Sequence, residues 1–325
     1  MTHSVRSLSE RITSAFQTVM VGVERSVFAL QIAMFGRGHA LIEGVPGTGK
    51  TLLVRVFALL AGLDFRRIQF TPDLMPADVV GTTVFNPKTT DFVTRRGPIF
   101  ANIILADEIN RTPPKTQSAL LEAMEERHVT IDGVAIDLPP PFMLCATQNP
   151  IEYEGTYPLP EAQLDRFMVK IPAGYPDSSD ELKLLARGAA GFDAHELERS
   201  GLSPIVSAAE IIEAQASVRA VHVAESLQRY IFEIVRSSRT SQEIALGASP
   251  RAGLALIIAA QGAAAIAGRD FVTPDDVKDI APIVLAHRLI VHPHAEIEGR
   301  TSADVLGGIL ATVPVPKETA PVAAS

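Results

Sequence analysis

The fold of this chain is decided by one stretch, Gly44-Val45-Pro46-Gly47-Thr48-Gly49-Lys50-Thr51. It matches the phosphate-binding pattern G-x-x-x-x-G-K-[ST] at every fixed position. The apolar residues 40–42 before it predict a strand, and the apolar residues 52–60 after it predict a helix. A chance glycine-rich turn is the alternative, but the flanking segments favour a strand–loop–helix unit that binds a nucleoside triphosphate.

The residue types of this loop suit a triphosphate, which carries several negative charges in a small volume. Glycines let the backbone turn so that successive N–H groups point at phosphate oxygens, and the start of the helix adds partial positive charge. We therefore expect residues 44–51 as a whole to bind the nucleotide. Lys50 would reach the β- and γ-phosphates, and the hydroxyl of Thr51 would ligate Mg²⁺.

Two carboxylates, Asp107 and Glu108, follow the apolar segment 103–106. An apolar run of this length predicts a buried parallel strand, and ligands bind at the carboxyl ends of such strands. Asp107 would support the metal ion, and Glu108 would orient or deprotonate the attacking water. A solvated acidic loop is the alternative. Beside a phosphate-binding loop, the acidic pair favours nucleotide hydrolysis.

Composition limits the class of protein. The chain has 325 residues, of which 47% are apolar, so two domains with a sizeable core can form. The single cysteine, Cys145, lies in an apolar run and is interpreted as a core residue. We find neither a signal peptide nor an uninterrupted membrane-spanning stretch, which predicts a soluble, cytoplasmic protein. The formal net charge of −8 argues against a broad basic face that binds nucleic acid. The basic pair Arg66-Arg67 is interpreted as ordinary solvated charge.

Apolar strand segments alternate with helical segments up to residue 171. The strand candidates are residues 39–42, 65–70, 103–105, 142–147 and 167–170. This alternation predicts an α/β fold of three layers around a parallel five-stranded sheet. Residues 81–98 and 128–137 each predict a β-hairpin within this domain. We interpret the hairpins as candidate contact surfaces, with passive extensions of the sheet as the alternative.

The second half of the chain has a helical, alanine-rich pattern. We predict a nucleotide-binding domain at residues 1–175, a linker at 176–203, a small all-helical domain at 204–312 and a disordered tail at 313–325. In the helical domain, Thr273 and Pro274 predict the start of a helix, with Thr273 as its N-cap.

Together, these motifs resemble those of the AAA+ ATPases and, within that group, the MoxR family. The resemblance extends over about residues 10–310 and implies an AAA+ core with a helical lid, ATP and Mg²⁺ as cofactors, and ATP hydrolysis. It also implies that the two hairpins are the inserts that mark this group. The segments that carry it are LIEGVPGTGKT (41–51), DEINRTPPKTQ (107–117), LLEAMEE (120–126), ATQNP (146–150) and EAQLDRF (161–167).

Residue roles are implied where the family pattern matches. Asn149 resembles sensor 1, an amide that contacts the γ-phosphate and the attacking water, although a structural amide is the alternative. Arg166 resembles the arginine finger that completes the site of a neighbouring subunit, with a surface salt bridge as the alternative. Arg251 resembles sensor 2, which reaches the phosphates from the lid. Val21 and Gly22 fit an adenine-side contact, but the glutamine that commonly follows in relatives is absent.

The resemblance also implies a function. A finger from the next subunit implies a homo-oligomeric ring, expected to be a hexamer. The family role is chaperone-like remodelling, maturation or metal-cofactor insertion for a client protein complex, often with a von Willebrand factor A domain protein as partner. A helicase-like ring motor on nucleic acid is the alternative, and the acidic charge argues against it. A nucleotide-gated scaffold without turnover is disfavoured because residues for hydrolysis are present.

Overall fold

The structure is a computed structural model that describes residues 2–88, 90–149, 155–190 and 202–316. The described strands form one five-stranded sheet and three two-stranded pairs. They are β1 (Ala40–Glu43), β2 (Phe65–Gln69), β3 (Gly81–Asn86), β4 (Asp91–Arg96), β5 (Ile103–Asp107), β6 (His128–Ile131), β7 (Val134–Asp137), β8 (Met143–Gln148), β9 (Val169–Pro172), β10 (Ile244–Leu246) and β11 (Ile290–Val291).

Helices surround the large sheet and make up most of the second half of the chain. The described helices are α1 (Thr2–Val19), α2 (Glu24–Phe35), α3 (Lys50–Leu60), α4 (Pro76–Val80), α5 (Pro114–Glu126), α6 (Glu161–Leu164), α7 (Ser178–Ala189), α8 (Ala208–Arg219), α9 (Glu225–Thr240), α10 (Pro250–Ile266), α11 (Pro274–Leu285), α12 (Pro293–Ile297) and α13 (Ser302–Thr312). Short 3₁₀ helices follow β5 and α11, at Ile109–Arg111 and Ala286–Arg288.

The large sheet has the strand order β2-β5-β8-β1-β9, and each neighbouring pair is parallel. This confirms the predicted parallel five-stranded sheet. The register pairs Ile42 of β1 with Thr147 of β8, and Gln69 of β2 with Asp107 of β5. Because parallel strands all end at the same edge, Glu43, Asp107 and Gln148 meet at the carboxyl edge of the sheet.

Two apolar clusters cover the two faces of this sheet. Ile42 and Cys145 face a cluster that includes α1, α2, α3 and the helices of the C-terminal half. Leu41 and Leu144 face the other cluster, which includes α5. Alternate residues of each buried strand therefore enter opposite layers, which confirms the three-layer αβα core. Burial also raises the pKa of the Cys145 thiol, as fits the core residue predicted.

Both predicted hairpins are present. The first pairs β3 with β4, and its exposed rings Phe85 and Phe92 meet edge to face with centroids 5.4 Å apart. The second pairs β6 with β7 around Asp132 and Gly133, which both have positive φ. Asp132 also accepts a hydrogen bond from the backbone N–H of Thr83, at 3.2 Å, so the two hairpins contact each other.

The C-terminal half is helical from α8 onward, with the short pair β10–β11 inserted. Thr273 is the N-cap of α11, as predicted, because its hydroxyl accepts from the N–H of Asp276. The predicted linker at 176–203 contains a helix that the sequence analysis did not predict, α7, which is capped by the Asp177 side chain. Residues 191–201 of that linker and residues 317–325 of the predicted tail lie outside the described residues. Among the helices that are described, none has the length and hydropathy needed to cross a membrane.

A buried histidine immediately precedes β1. The Nδ1 atom of His39 accepts from the N–H of Leu144 at 3.0 Å, and Nε2 lies 3.0 Å from the carbonyl oxygen of Met124. Burial is the main cause that lowers the pKa of His39 from 6.5 to about 4. The neutral ring thus joins β1, β8 and α5.

Because of His39, the free energy of unfolding should depend on pH. Between pH 6.5 and about 4 the unfolded chain binds a proton at His39 that the folded chain does not. The free energy of unfolding should therefore be fully retained above pH 6.5 and should fall by up to about 1.4 kcal/mol per pH unit below it. Thermal unfolding at several pH values measures this slope.

The variant His39→Asn keeps an acceptor for the Leu144 N–H but has no titrating ring. We expect it to show a shallower loss of stability between pH 6.5 and 4 than the parent protein. His294→Asn is the matched control, because His294 is exposed. Equal slopes for the parent and His39→Asn proteins would contradict the assignment.

Candidate functional site

A cavity of about 610 Å³ lies between the loop after β1 and the carboxyl ends of β5 and β8. This volume is in the range of sites for small molecules and cofactors. The cavity brings together most residues predicted from the sequence. Its lining includes Pro46, Gly47, Thr48, Gly49, Lys50, Thr51, Asp107, Glu108 and Asn149.

The loop conformation depends on its glycines. Gly47 and Gly49 have φ values of +83° and +79°, which favour glycine because it lacks a Cβ. Gly44 is required for packing, since a Cβ there would stand 2.0 Å from the carbonyl oxygen of Ala173, which follows β9. Helix α3 then begins at Lys50, so its N-terminus points at the cavity.

Lys50 lies folded over the loop. Its Nζ donates to the carbonyl oxygens of Gly44 and Val45, at 2.6 and 2.8 Å. The hydroxyl of Thr48 donates to the same Val45 oxygen at 3.0 Å. These bonds hold an ammonium group at the mouth of the loop, where its charge suits a phosphate.

Oxygen atoms gather beside α3. The Thr51 hydroxyl donates to Oδ2 of Asp107 at 3.4 Å, and the Thr147 hydroxyl donates to Oδ1 at 2.5 Å. Asp107 is held in place from both sides of its carboxylate. Hydroxyl and carboxylate oxygens are ligands that Mg²⁺ accepts, so Thr51 and Asp107 fit the predicted metal site.

Arg67 also belongs to this site, which corrects the interpretation of Arg66-Arg67 as ordinary solvated charge. Its Nε and Nη2 lie 2.9 and 2.7 Å from Oδ2 of Asp107. The reason is the strand order, which places β2 directly beside β5. The side chain of Asp107 is only 10% exposed, so this pair is partly shielded from water.

Glu108 is held by two neighbours. Gln69 donates to its Oε2 at 2.7 Å, and Arg111 Nε lies 3.1 Å from the same oxygen. The backbone of Glu108 is left-handed, with φ +58°, and its N–H donates to the Thr147 hydroxyl at 2.9 Å. A non-glycine residue in this region carries backbone strain, which is often found at functional sites.

Sequence reasoning missed Gln69 as well as Arg67. The two residues are separated by one position on β2, so their side chains point to the same side of the strand. A pair of polar residues with this spacing was the available signal. It could not be used without knowing that β5 is the neighbour of β2.

Asn149 follows β8 and is 7% exposed, which places a buried amide in the cavity. The segment with Val21 and Gly22 lies beside the loop. Its neighbour Met20 would lie 3.6 Å from a Cβ at Gly49, and Gly22 has φ +70° and packs against Asp180 of α7. The adenine-side contact of Val21 and Gly22 stays a prediction.

Arg166 and Arg251 lie elsewhere. Both line a second cavity of about 230 Å³, together with Arg37 and His39, which precede β1. The phosphate loop follows the carboxyl end of β1, so the two cavities lie at opposite ends of this strand. Arg251 therefore does not reach the phosphate loop of its own chain from the lid. Arg166 does form a salt bridge, as its alternative interpretation expected, and the partner is Glu125.

The two arginines converge on one carboxylate. Nη1 of Arg166 contacts Oε2 of Glu125, and Nη2 of Arg251 contacts Oε1. Arg166 also donates to the carbonyl oxygen of Leu121 at 3.2 Å. The side chains of Arg166 and Arg251 are 31% and 46% exposed, so both are accessible from outside the chain.

Comparison with known proteins agrees with this site. The ATPase family associated with various cellular activities (AAA) matches residues 39–169, and the AAA lid domain matches residues 236–309. The chain is 48% identical over 305 residues to the uncharacterised protein YeaC of Bacillus subtilis (strain 168), covering 94% of this chain and 93% of YeaC.

A second relative is Chaperone MoxR1 of Mycobacterium tuberculosis (strain ATCC 25618 / H37Rv), which is 41% identical over 320 residues, 96% of this chain and 83% of MoxR1. A crystal structure of a protein assigned as an ATPase from Cytophaga hutchinsonii ATCC 33406 superimposes with a TM-score of 0.88, at 40% identity and 97% coverage of both chains. The chain belongs to the MoxR family of AAA+ ATPases.

Proposed function

We propose that this ATPase is a Mg²⁺-dependent remodelling or maturation factor whose active site is completed by a neighbouring copy. The observation that carries the proposal is the separation of the site into two halves. One half holds the phosphate loop and the acidic pair, and the other presents Arg166 and Arg251 at the opposite end of β1.

The first half suits binding and activation of water. Lys50 would exchange the carbonyls of Gly44 and Val45 for phosphate oxygens. Thr51 and Asp107 would hold Mg²⁺, which supplies charge neutralisation for the transferred phosphoryl group. Arg67 keeps Oδ2 of Asp107 at the edge of the cavity through its ion pair.

Glu108 would act on the attacking water as base or as orienting acceptor. Asn149 follows the adjacent strand β8 and would hold the water or the γ-phosphate through its amide. The two groups lie at the carboxyl edge of neighbouring strands, which is the edge where α/β sheets bind ligands. Val21 and Gly22 would contact the adenine side.

The second half suits a phosphoryl group of another subunit. β1 has four residues, so its two ends lie about 10 Å apart, and in this structure the arginines and the loop stand at opposite ends of the strand. Two guanidinium groups already share one carboxylate, Glu125, whose oxygens stand in for two oxygens of a phosphate. Head-to-tail contact between unlike surfaces forms a ring when the rotation from copy to copy closes, and the ring that we propose is a hexamer.

Three features support the role in remodelling. A relative that is 41% identical carries the name Chaperone MoxR1. The hairpin β3–β4 presents Phe92, which is 75% exposed, and Phe85, which is 51% exposed, so it offers an apolar contact to a client protein. The lid packs into the same apolar cluster as one face of the sheet, so a movement of the lid during hydrolysis would be transmitted to the core. A client complex and a von Willebrand factor A domain protein are the partners proposed.

The catalytic role of Glu108 can be tested by a substitution that removes its charge. Glu108→Gln should retain ATP binding and lose about 100-fold or more in kcat, because the amide cannot act on the attacking water. Single-turnover assays should show ATP held without hydrolysis. Glu122→Gln is the control, since it makes the same change at an exposed position of α5. Unchanged turnover in Glu108→Gln would refute the role.

Arg166 and Arg251 should act after ATP has bound. Arg166→Ala and Arg251→Ala should each keep ATP binding, and Arg166→Ala should lose about 1,000-fold in kcat. Arg229→Ala removes an exposed arginine of α9 and should keep the parent rate. Sedimentation of the parent protein with ATP should show a closed oligomer. A monomer with full ATPase activity would contradict the ring.

The response of the ATPase rate to DNA distinguishes a role on protein clients from a role on nucleic acid. We expect the ATPase rate of the parent protein to be the same with and without single- or double-stranded DNA, because the net charge is −8. The assay is run at low salt, where DNA contacts are strongest. A rate that rises with DNA would replace the remodelling role by a helicase-like one.

A further inference from the structure

Arg288 is a buried arginine at the end of the 3₁₀ helix that follows α11. Its side chain is only 2% exposed. Nε donates to Oδ1 of Asp165 at 2.8 Å, which makes a buried ion pair between the lid and the core. Nη1 contacts the carbonyl oxygen of Val284 within the lid. The lid therefore inserts a charged group into the segment that contains Arg166.

The remaining donors of Arg288 bind the backbone around Arg166. Nη2 donates to the carbonyl oxygens of Asp165 and Phe167, at 3.0 and 2.7 Å. Nη1 also lies 3.3 Å from the carbonyl oxygen of Met168. The residues immediately before and after Arg166 are thus held by one guanidinium group, which fixes the backbone from which Arg166 projects.

Asp165 connects the guanidinium group of Arg288 to the helix that carries Arg251. Its second carboxylate oxygen, Oδ2, accepts from the hydroxyl of Ser249 at 2.7 Å. Ser249 is the N-cap of α10, and its hydroxyl also accepts from the N–H of Ala252 at 3.1 Å. Arg251 is the second residue of that helix. Asp165 therefore ties the start of α10 to Arg288 and to the backbone of Arg166.

The chemistry of this network requires arginine. The guanidinium group has five N–H donors in a planar fork, whereas a lysine ammonium has three donors at one point. A buried ion pair is weak evidence for stability alone, since apolar residues of similar volume often serve as well. Burial is the largest influence on the pKa of Arg288 and lowers it, while Asp165 acts in the opposite direction. The group is charged because its partners compensate for burial.

We infer that Arg288 is a positioning residue. Through Asp165 it fixes the positions of Arg166 and Arg251, the two arginines that this chain supplies to the phosphate of the next subunit. The inference rests on the proposed function, in which Arg166 and Arg251 act on a neighbouring copy. Arg288 touches neither the phosphate loop nor its cavity. It does line the arginine cavity, but its Nε, Nη1 and Nη2 all bind oxygens of this chain. Its effect is exerted on the donor side of the interface.

The test uses variants that are each defective on one side of the interface. Arg288→Met should bind ATP with parent affinity and lose about 100-fold in kcat, because displaced arginines miss the phosphoryl group. Lys50→Ala should lose ATP binding and keep its arginines in place. When the two are mixed, about a quarter of the interfaces in randomly assembled rings combine an intact loop with intact arginines. Turnover should return in the mixture.

A reference mixture separates the inference from the proposed function. Arg166→Ala mixed with Lys50→Ala should also recover turnover if arginines act between subunits. Failure of this reference would overturn the proposed function. Recovery in the reference without recovery in the Arg288→Met mixture would overturn the inference alone, because Arg288 would then act on its own loop. Parent-like kcat in Arg288→Met would overturn it as well.

Two further variants guard against simple loss of folding. Arg288→Lys keeps a positive charge near Asp165 but cannot bind the carbonyls on both sides of Arg166 at once. It should show reduced kcat with unchanged ATP affinity, and Lys50→Ala should restore turnover in a mixture. Arg269→Met is the matched control, since it breaks another lid ion pair, with Asp276 at 2.5 Å, away from Asp165. It should keep the parent kcat, and an equal loss there would point to general lid instability and overturn the inference.

Discussion

β1 pairs in parallel with a strand on each of its sides, and this pairing sets the positions of both cavities. β1 lies between β8 and β9, so its carboxyl end opens next to Gln148 and its amino end lies next to Met168 and Val169. The phosphate loop leaves one end, and the arginine cavity forms at the other. A strand of four residues thereby separates the phosphate loop from the arginine cavity, and we propose that the two combine between neighbouring copies.

The two ends of β1 differ in how their charged side chains are paired. At the phosphate loop, carboxylates are paired with groups from the neighbouring strand β2, so Asp107 faces Arg67 and Glu108 faces Gln69. At the other end, arginines are in excess, and Glu125 and Asp165 organise them. In the proposed function, a triphosphate bound at the loop would supply the negative charge that the arginines of a neighbouring copy contact.

Several features were predictable from local sequence. The glycines of the loop, the acidic pair after an apolar strand, the Asp-Gly hairpin tip and the cap at Thr273 all depend on interactions within a few residues. The strand candidates at 103–105 and 142–147 also agree with β5 and β8 apart from their ends. Helix α7 was missed because the preceding Pro, Gly and Ser residues indicated a linker, although Asp177 supplies a regular N-cap.

Local patterns were enough to predict the phosphate loop, the parallel α/β sheet and the residue types for nucleotide hydrolysis, because each pattern has a direct physical cause. Three contacts became visible only in the folded chain: Arg67 belongs to the site, Arg251 lies with Arg166, and Arg288 holds both segments. Those contacts join residues 40 to 126 positions apart in the chain. Their geometry depends on strand order and on how the lid packs against the core, which no local pattern records.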